Sequence, residues 1–516
     1  MPRYIIEVAF SLLIVGGSLL VSKVPKISTA LRVIGYLTPM CIVALGHLGI
    51  ISVIDNVSSI FVLLASFLGL FASLYTTGYA RIKYGVSSLQ SYIDSFALAM
   101  ILLFFSRYLA EFIIFWVMAE IIGFFVIVFE AIAKGYVRAW RAGLRFLLVS
   151  MIPADISIMT LLALAGINNA FMIPFNQLYI TGLSHPIITI LVTLGFLAKA
   201  AVAPLHFWLP EAHSIAPAPG SALLSGMMVK MGIYGILRVL SMTDYNVDLL
   251  AWMLLVFGSI TTIYGGLQAL AQSDIKILLA YSTTVYTSII CIMISLYVMS
   301  NDPVFIISAY FFVIAHSLFK AALFLDSGIV ELVAHTRELE RLGYISKVSP
   351  ILSLFALVSI LSLIGVPPMM GFLSKLIMFL GIVRNIRLGI LYIIALIIVA
   401  VSAALSVGYG AKYLLAHWGR PESAKEYIET SRATLPHTYF RYMLSSEAIM
   451  SSANIAFSFI APLLLPMPLA TISDWIFQLY LILLMTTLIL IIALLGLHQT
   501  FSKVRYEAPW LGGTKP

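Results

Sequence analysis

Charged residues are scarce in this sequence. Asp, Glu, Lys and Arg make up 10% of its 516 residues and hydrophobic residues 61%, whereas soluble proteins carry about 25% charged residues. The mean hydropathy is +1.06. No hydrophilic stretch is long enough for a sizeable water-soluble domain, so a separate catalytic head is excluded. Lipid is therefore the expected solvent for most of the chain.

Cysteine is also nearly absent. The two cysteines, Cys41 and Cys291, each lie in an apolar run without a CxxC partner. Iron–sulfur clusters and structural zinc sites need several clustered ligands. We therefore expect neither a cofactor nor a metal in this chain, and we interpret both cysteines as small buried side chains.

The alternation of polar and apolar residues that a transmembrane β-barrel requires is missing as well, since residues 390–404 are apolar on every face. Apolar runs of roughly 20 residues, enough to cross a bilayer as a helix, recur instead along the chain. They predict an all-α polytopic transmembrane bundle of about 14–15 helices. The predicted spans are residues 4–22, 31–53, 57–78, 92–108, 109–131, 143–167, 186–205, 219–241, 248–272, 275–299, 303–331, 350–383, 388–414, 446–466 and 475–497.

Basic residues cluster in the loops that follow odd-numbered spans, and this clustering accounts for the net charge of +8. Because cytoplasmic loops are enriched in Lys and Arg, we expect the N-terminus outside and the C-terminal tail in the cytoplasm. The first apolar run has almost no basic flank, which favours a retained span over a cleaved signal peptide. A multi-pass protein of the plasma or inner membrane is predicted.

Six ionisable residues fall well inside predicted spans, where each costs about 2.5–3.5 kcal/mol on insertion scales. For any one of them, helix packing or snorkelling to the headgroups is an alternative, but the whole set is harder to explain in that way. We interpret them as an ion relay. The six are Glu120, Lys199, Lys230, His316, Lys320 and Lys375.

Burial weakens the hold of a lysine on its proton, and a nearby carboxylate strengthens it. If Glu120 lies close to Lys199, it keeps that lysine charged, and separation of the pair favours proton release toward Lys230. His316 and Lys320 share one helix face and could pass a proton on toward Lys375.

Prolines interrupt two of the spans that carry these lysines. Pro204 follows Lys199, and Pro367 and Pro368 precede Lys375. Proline prevents a continuous helix, and a broken helix at membrane depth is tolerated where it is buried or lines water. The breaks point to an ion site, with a simple packing kink as the alternative.

Long motifs surround these residues. The longest covers residues 199–238 and reads KAAVAPLHFWLPEAHSIAPAPGSALLSGMMVKMGIYGILR. Four shorter motifs are AGLRF at residues 142–146, ALAQSDIKILLAYS at 269–282, HSLFKAALF at 316–324 and GVPPMMGFLSK at 365–375. Over about residues 90–415 the chain resembles the antiporter-like membrane subunits. Respiratory complex I, membrane-bound hydrogenases and sulfane reductases, formate hydrogenlyases and Mrp-type sodium/proton antiporters share this family.

The resemblance implies two inverted five-helix repeats with broken helices 7 and 12. It divides the chain into three N-terminal spans at 1–90, repeats at 91–241 and 248–415, and a remainder at 416–516 with a cytoplasmic loop, one or two spans and a short tail. By position, Glu120, Lys199, Lys230 and Lys375 match the family's charged helix residues. The tenth span lacks a carboxylate equivalent to Glu120.

Two aspartates depart from the family pattern. Asp155 and Asp326 could each add a ligand for a cation or pair with a neighbour, and we favour pairing. His206, Glu211 and His213 suggest a metal site of an enzyme, but their spacing resembles no defined ligand set and such residues also cap helices.

The resemblance therefore implies an ion-translocating subunit, for protons or sodium against protons, in a redox-driven membrane complex. Other integral membrane subunits would be its partners, and those subunits would carry any Fe–S clusters or metal active site. The alternative is a subunit of a Mrp-type antiporter complex driven by ion gradients. No nucleic-acid partner is expected.

Overall fold

The computed structural model describes residues 2–50, 54–243, 247–421 and 437–464, and the single residues 478, 481, 482 and 485. By its internal contacts the chain divides into residues Met1–Met467 and residues Pro468–Pro516. The helices whose bounds the structure describes all belong to the first of these units. The fifteenth predicted span lies almost wholly outside the described residues.

The N-terminal half of the first unit is a succession of helices. Those that correspond to predicted spans one to eight, with their short companions, are α1 (Pro2–Leu19), α2 (Pro25–His47), α3 (Asn56–Tyr84), α4 (Leu89–Phe105), α5 (Leu109–Ile127), α6 (Phe129–Lys134), α7 (Val137–Phe146), α8 (Ile152–Ala165), α9 (Ile167–Met172), α10 (Pro186–Lys199), α11 (Trp208–Ile215), α12 (Ala218–Leu223) and α13 (Val229–Ser241).

The second half of the unit is built in the same way, with longer helices. They are α14 (Asp248–Ala271), α15 (Ile275–Ser300), α16 (Pro303–Ala334), α17 (Ile345–Val348), α18 (Pro350–Ile364), α19 (Met370–Arg384), α20 (Ile390–Trp418) and α21 (His437–Leu464).

Aspartates and a serine between the spans set where several helices begin. The side chain of Asp55 accepts a hydrogen bond from the backbone N–H of Ser58, and Asp274, Asp302 and Ser349 make equivalent bonds at the starts of α15, α16 and α18. These N-caps satisfy backbone donors that a helix leaves free at its first turn. The polar residues of the loops therefore fix the ends of the apolar helices.

The predicted all-α, multi-pass membrane fold is confirmed. Within the described residues, nine helices, counting α5–α6, α7–α8 and α12–α13 as continuous, are long and apolar enough to cross a membrane, and three shorter apolar ones accompany them. Helices occupy each of the first fourteen predicted spans. Helices α20 and α21 extend beyond the predicted spans 388–414 and 446–466, because α20 continues to Trp418 and α21 begins at His437. The inverted relation of the two repeats stays a prediction.

The two cysteines differ in their surroundings. Cys291 of α15 is buried, as predicted, whereas Cys41 of α2 is exposed, so the prediction of a buried side chain is wrong for Cys41. An apolar run does not by itself indicate burial in protein, because a helix that crosses a membrane is apolar on its outer face as well.

Four of the helical spans are irregular. Two are interrupted at the predicted prolines: α10 ends at Lys199 before Pro204, and α18 ends at Ile364 before Pro367 and Pro368. Gly365, with a φ of +89°, follows α18 directly and terminates the helix. Two others contain a π-helical turn, at Leu147–Met151 and Leu224–Met228. Each irregularity leaves backbone groups that other partners must satisfy.

The site lies where these irregular helices meet α16, the longest described helix, whose central residues are buried. Helix α16 packs against α15, α18, α19 and α21, and also against α12 with its π-helical turn. Helix α10 packs on α8, α13 and α14. The side chains of Lys199 and Lys375, beside the two breaks, are thereby buried in protein and kept away from lipid.

The second break depends on a close approach between its two half-helices. The backbone N–H of Gly371 in α19 donates to the Ser362 hydroxyl of α18 at 3.2 Å, and a Cβ atom at Gly371 would overlap the backbone carbonyl of Ser362. We expect Gly371→Ala to destabilise the protein by about 1–3 kcal/mol through overpacking. Thermal unfolding of the purified protein measures the effect.

Gly16→Ala is the matched control, because a Cβ atom at Gly16 in α1 meets no neighbouring atom within 4 Å. It should be neutral or slightly stabilising, since alanine favours a helix more than glycine does. Equal unfolding temperatures for the two variants would contradict the proposed close approach.

Candidate functional site: a buried row of charged side chains

The first part of the row is a buried ion pair between α5 and α10. The ammonium of Lys199 lies 2.5 Å from a carboxylate oxygen of Glu120, and both side chains are fully buried. The carboxylate of Asp155 in α8 is close enough to interact with both. The rings of Trp116 and Phe146 also face the Lys199 ammonium, at 5.7 and 5.0 Å. The two carboxylates offset part of the cost of burying a charged lysine in a low-dielectric site.

The second part of the row joins α13 to α16. Lys230 Nζ lies 2.5 Å from His316 Nδ1 and donates to the backbone carbonyl of Ser225 at 2.6 Å. Ser225 belongs to the π-helical turn Leu224–Met228, where the regular helical ladder is disturbed. The irregular turn thus supplies an acceptor for a fully buried ammonium.

Lys320, one helical turn after His316, points toward a different neighbour. Its ammonium donates to the backbone carbonyl of Leu279 at 3.0 Å and contacts the hydroxyl of Ser282, both in α15. The side chain is fully buried. Lys320 therefore lies beside the contact between His316 and Lys230 and is not part of it.

The last part of the row lies at the second break. Lys375, on α19, donates to the carbonyls of Leu363 and Ile364 at 3.2 and 2.6 Å and to the hydroxyl of Ser406 at 3.0 Å. These two carbonyls are the last ones of α18, and the negative end of a helix dipole attracts a cation. The half-helix supplies here the negative partner that Glu120 supplies for Lys199.

A tyrosine that sequence reasoning missed connects the second and last parts. Tyr286 of α15 stacks on the His316 ring with the centroids 5.4 Å apart, and its hydroxyl donates to the Leu363 carbonyl that also binds Lys375. Its position within a run of hydroxyl residues at 282–288 was the available signal. Lys230, His316, Tyr286 and Lys375 are thus connected in series.

Between the first and second parts the row is interrupted. In the described part of the chain, no side-chain hydrogen bond connects Lys199 with Lys230, although their helices are in contact. Gly232 of α13 lies against the α10 backbone at Phe196 and Ala200, and a Cβ atom at that position would overlap it. Backbone packing alone therefore separates the two lysines.

The three residues considered for a metal site each have another contact. Glu211 pairs with Arg145 at 2.7 Å at a surface cavity of about 520 Å³, His213 stacks on Phe324 at 4.4 Å, and His206 lies edge-on to Tyr264. In the ranges that the structure covers, no group of three His, Cys, Asp or Glu residues is arranged to hold a metal ion. The geometry gives no support to a metalloenzyme.

The two departing aspartates differ in their surroundings. Asp326 accepts hydrogen bonds from Tyr413 at 2.6 Å and from His417 at 3.1 Å, so it has the neighbouring partners that we favoured for it. Asp155 lies next to Glu120, and its Oδ1 atom is buried without a hydrogen-bond partner. Asp326 therefore lies apart from the row, whereas Asp155 adds a second carboxylate to the ion pair of Glu120 and Lys199.

These features define a class of protein: a multi-pass membrane protein with two broken helices and a series of buried lysines between them. Residues 109–403 match the family model described as "NADH:quinone oxidoreductase/Mrp antiporter, TM". The match covers more than half of the chain, so the chain belongs to this family, and the resemblance seen in the sequence is confirmed.

Characterised relatives come from several kinds of complex. The chain is 30% identical over 429 residues to hydrogenase-4 component B of Escherichia coli (strain K12), a match that covers 79% of this chain and 62% of that protein. It is 34% identical over 225 residues to NADH-quinone oxidoreductase subunit M of Rickettsia prowazekii (strain Madrid E), covering 43% of each. The chain thus spans less than two thirds of the length of either relative.

A solved structure shows the same fold. A chain of the Mrp complex from Dietzia sp. DQ12-45-1b superposes with a TM-score of 0.72 at 17% identity, over 90% of this chain and 96% of that chain. At this level of identity the likeness concerns the fold alone. It agrees with the helical arrangement described above.

Tyr286 offers a specific test of the connection between His316 and Lys375. In Tyr286→Phe the ring that stacks on His316 remains, but the hydroxyl bonded to Leu363 is lost. We expect ion transport by the assembled complex to fall by at least about tenfold, because a proton-transferring group is removed. Transport into sealed vesicles, normalised to the amount of assembled protein, measures it.

Tyr281→Phe is the matched control, since this residue lies on the same helix, is half-buried and faces Tyr264 instead of the row. It should transport like the unmodified protein. Wild-type transport by Tyr286→Phe would show that the hydroxyl has no part in the relay.

Proposed function

We propose that this chain is an ion-translocating subunit of a multisubunit, redox-driven membrane complex, and that it moves protons along the buried row. The observation that carries the proposal is a set of four buried lysines, each held by groups that it could exchange for others: Lys199, Lys230, Lys320 and Lys375. Lys199 is held by Glu120, and Lys375 by the end of a half-helix. A structural scaffold would gain nothing from charges that cost free energy to bury.

The contacts support protons as the transported ion. Lys230 Nζ and His316 Nδ1 lie 2.5 Å apart, within hydrogen-bond distance, so a proton could pass directly between them. Both groups bind and release protons, whereas neither an ammonium nor a protonated imidazole binds sodium. Carboxylates occur in the row only at its first part, where Glu120 and Asp155 meet.

The redox-driven assignment follows from the relatives. Hydrogenase-4 component B is matched over 79% of this chain, and NADH-quinone oxidoreductase subunit M is matched over 43% of it. By analogy with them, other integral membrane subunits would be the partners, and electron carriers would lie in those subunits. No redox centre is needed in this chain for that role.

A gradient-driven cation/proton antiporter is the second candidate. The chain is 34% identical over 229 residues to a Na(+)/H(+) antiporter protein of Alkalihalophilus pseudofirmus, a match that covers 42% of this chain and 28% of that protein. In that case an imposed sodium gradient alone would move protons. The Asp155 carboxylate beside Glu120 is the feature that favours sodium, because two adjacent carboxylates supply negatively charged oxygen ligands for a cation.

Reconstitution of the whole complex into sealed vesicles tests the proposal. Proton and sodium movement are followed separately, first with an electron donor and acceptor and then with an imposed sodium gradient and no redox substrate. We expect Glu120→Gln and Lys375→Ala each to reduce redox-driven proton transport by at least about tenfold. The first removes the counter-charge of Lys199, and the second removes the ammonium at the second break.

Lys134→Ala is the control, because Lys134 is an exposed lysine at the end of α6. It should leave transport unchanged. Full transport by both row variants would end the proposal, and transport driven by sodium but not by electron flow would select the antiporter.

A further inference from the structure

A second buried polar cluster lies outside the row, where α16, α18, α20 and α21 meet. His417 Nε2 and the Tyr413 hydroxyl both contact the same oxygen of Asp326, at 3.1 and 2.6 Å, and Ser353 bonds the other nitrogen of His417 at 3.0 Å. Glu447 of α21 lies near enough to Asp326 to interact with it. Asp326, His417 and Glu447 are fully buried.

The charges of this cluster do not balance. Within the described residues, His417 is the only cationic group paired with Asp326, and Glu447 has no ion-pair partner. Asp326 Oδ1 and Glu447 Oε2 are buried acceptors that receive no hydrogen bond from any residue in the described ranges. Two adjacent buried carboxylates with one imidazole cannot all stay ionised at low cost, so the cluster must take up a proton or another cation.

A proton fits better than a metal ion. The described residues contain no group of His, Cys, Asp and Glu arranged to hold a metal. Among the described residues, His417, Tyr413 and Tyr75 are the titratable groups that face Asp326 and Glu447. A further acid, Glu331, lies along α16. A hydroxyl or an imidazole can pass a proton to a carboxylate without leaving its place.

One face of α20 connects the cluster with the row. Ser406, Tyr409, Tyr413 and His417 follow at helical spacing and are all buried. The Ser406 hydroxyl accepts a hydrogen bond from the Lys375 side chain, and Tyr409 lies beside Tyr286. From Ser406 to His417 this face covers about 16 Å along the helix axis.

We expect the far end of this face to lie near one membrane surface, because α20 is long and apolar enough to cross a membrane. Helix α20 ends at Trp418, one residue after His417, and the backbone N–H of Tyr344 donates to Gly419 at 3.0 Å. Residues 335–349, which connect α16 with α18, therefore lie at the same surface. Buried polar side chains thus lead from the middle of the bundle to that surface.

We propose that Asp326, His417 and Glu447 form a proton-binding site outside the row, which exchanges protons with Lys375 along the polar face of α20. The site rests on the proposed proton translocation. It gives the second break a route to the membrane surface at which α20 ends. In each exchange a proton leaves an imidazole or ammonium nitrogen and binds a carboxylate oxygen, and no other reactant is consumed.

Infrared difference spectroscopy of the intact complex, recorded as the pH is changed, detects the protonated carboxyl groups. We expect one carboxylic acid band that disappears in Asp326→Asn or Glu447→Gln and persists in Glu338→Gln, whose side chain is exposed. Each substitution keeps an acceptor oxygen for the existing hydrogen bonds. If one buried-site variant does not assemble, the other still decides the result.

Transport supplies a second readout. Asp326→Asn should lower proton transport per assembled complex several-fold and change its pH profile, whereas a merely structural role would lower the amount of complex and leave the profile unchanged. A band that persists in both variants, or one that sodium displaces, would overturn the proposal.

Failure of this inference can be distinguished from failure of the proposed function. Loss of transport in Glu120→Gln, together with wild-type spectra and transport in Asp326→Asn, would remove only the second site. Normal transport in Glu120→Gln and Lys375→Ala would remove the translocation function on which the site rests.

Discussion

The cost of burying an ammonium group governs the structure of this protein. Inside a bundle surrounded by lipid, a lysine must find its hydrogen-bond partners within the protein. Lys199 finds a carboxylate, whereas Lys230 and Lys375 find backbone carbonyls at a π-helical turn and at a helix break. An irregular helix would be unfavourable in lipid, because it leaves backbone carbonyls without a partner. Here those carbonyls accept hydrogen bonds from buried lysines for which no carboxylate is nearby within the portion of the chain that the structure describes.

The two broken helices solve the same problem in different ways. Lys199 is the last residue before its break and depends on Glu120 from another helix. Lys375 follows its break and lies at the end of α18, where two carbonyls replace the missing carboxylate. A carboxylate can be neutralised by a proton, but a helix terminus cannot. The contact that holds Lys199 can thus be weakened by protonation of Glu120, whereas the contacts that hold Lys375 change only when a side chain or helix moves.

The sequence was sufficient for features that depend on hydrophobicity and on proline. The apolar runs located fourteen spans, and Pro204, Pro367 and Pro368 located both breaks, because lipid and the proline ring impose strict local conditions. The two π-helical turns have no such local signature. The direction of Lys320 toward α15, away from Lys230, depends on the rotation of packed helices, which a single sequence does not encode in any local pattern.

The interruption between Lys199 and Lys230 gives the row a physical consequence. The first part of the row contains Lys199 with two neighbouring carboxylates. In the second part, Lys230, His316 and Tyr286 are in direct contact. Because Gly232 packs directly on the α10 backbone, the two parts can approach no further by side-chain packing. Transfer between them requires reorientation of Lys199 or an intervening water molecule. In the proposed relay, Lys199 must leave its ion pair with Glu120 before it reorients, so we expect the charge state of Glu120 to determine when the two parts of the row exchange a proton.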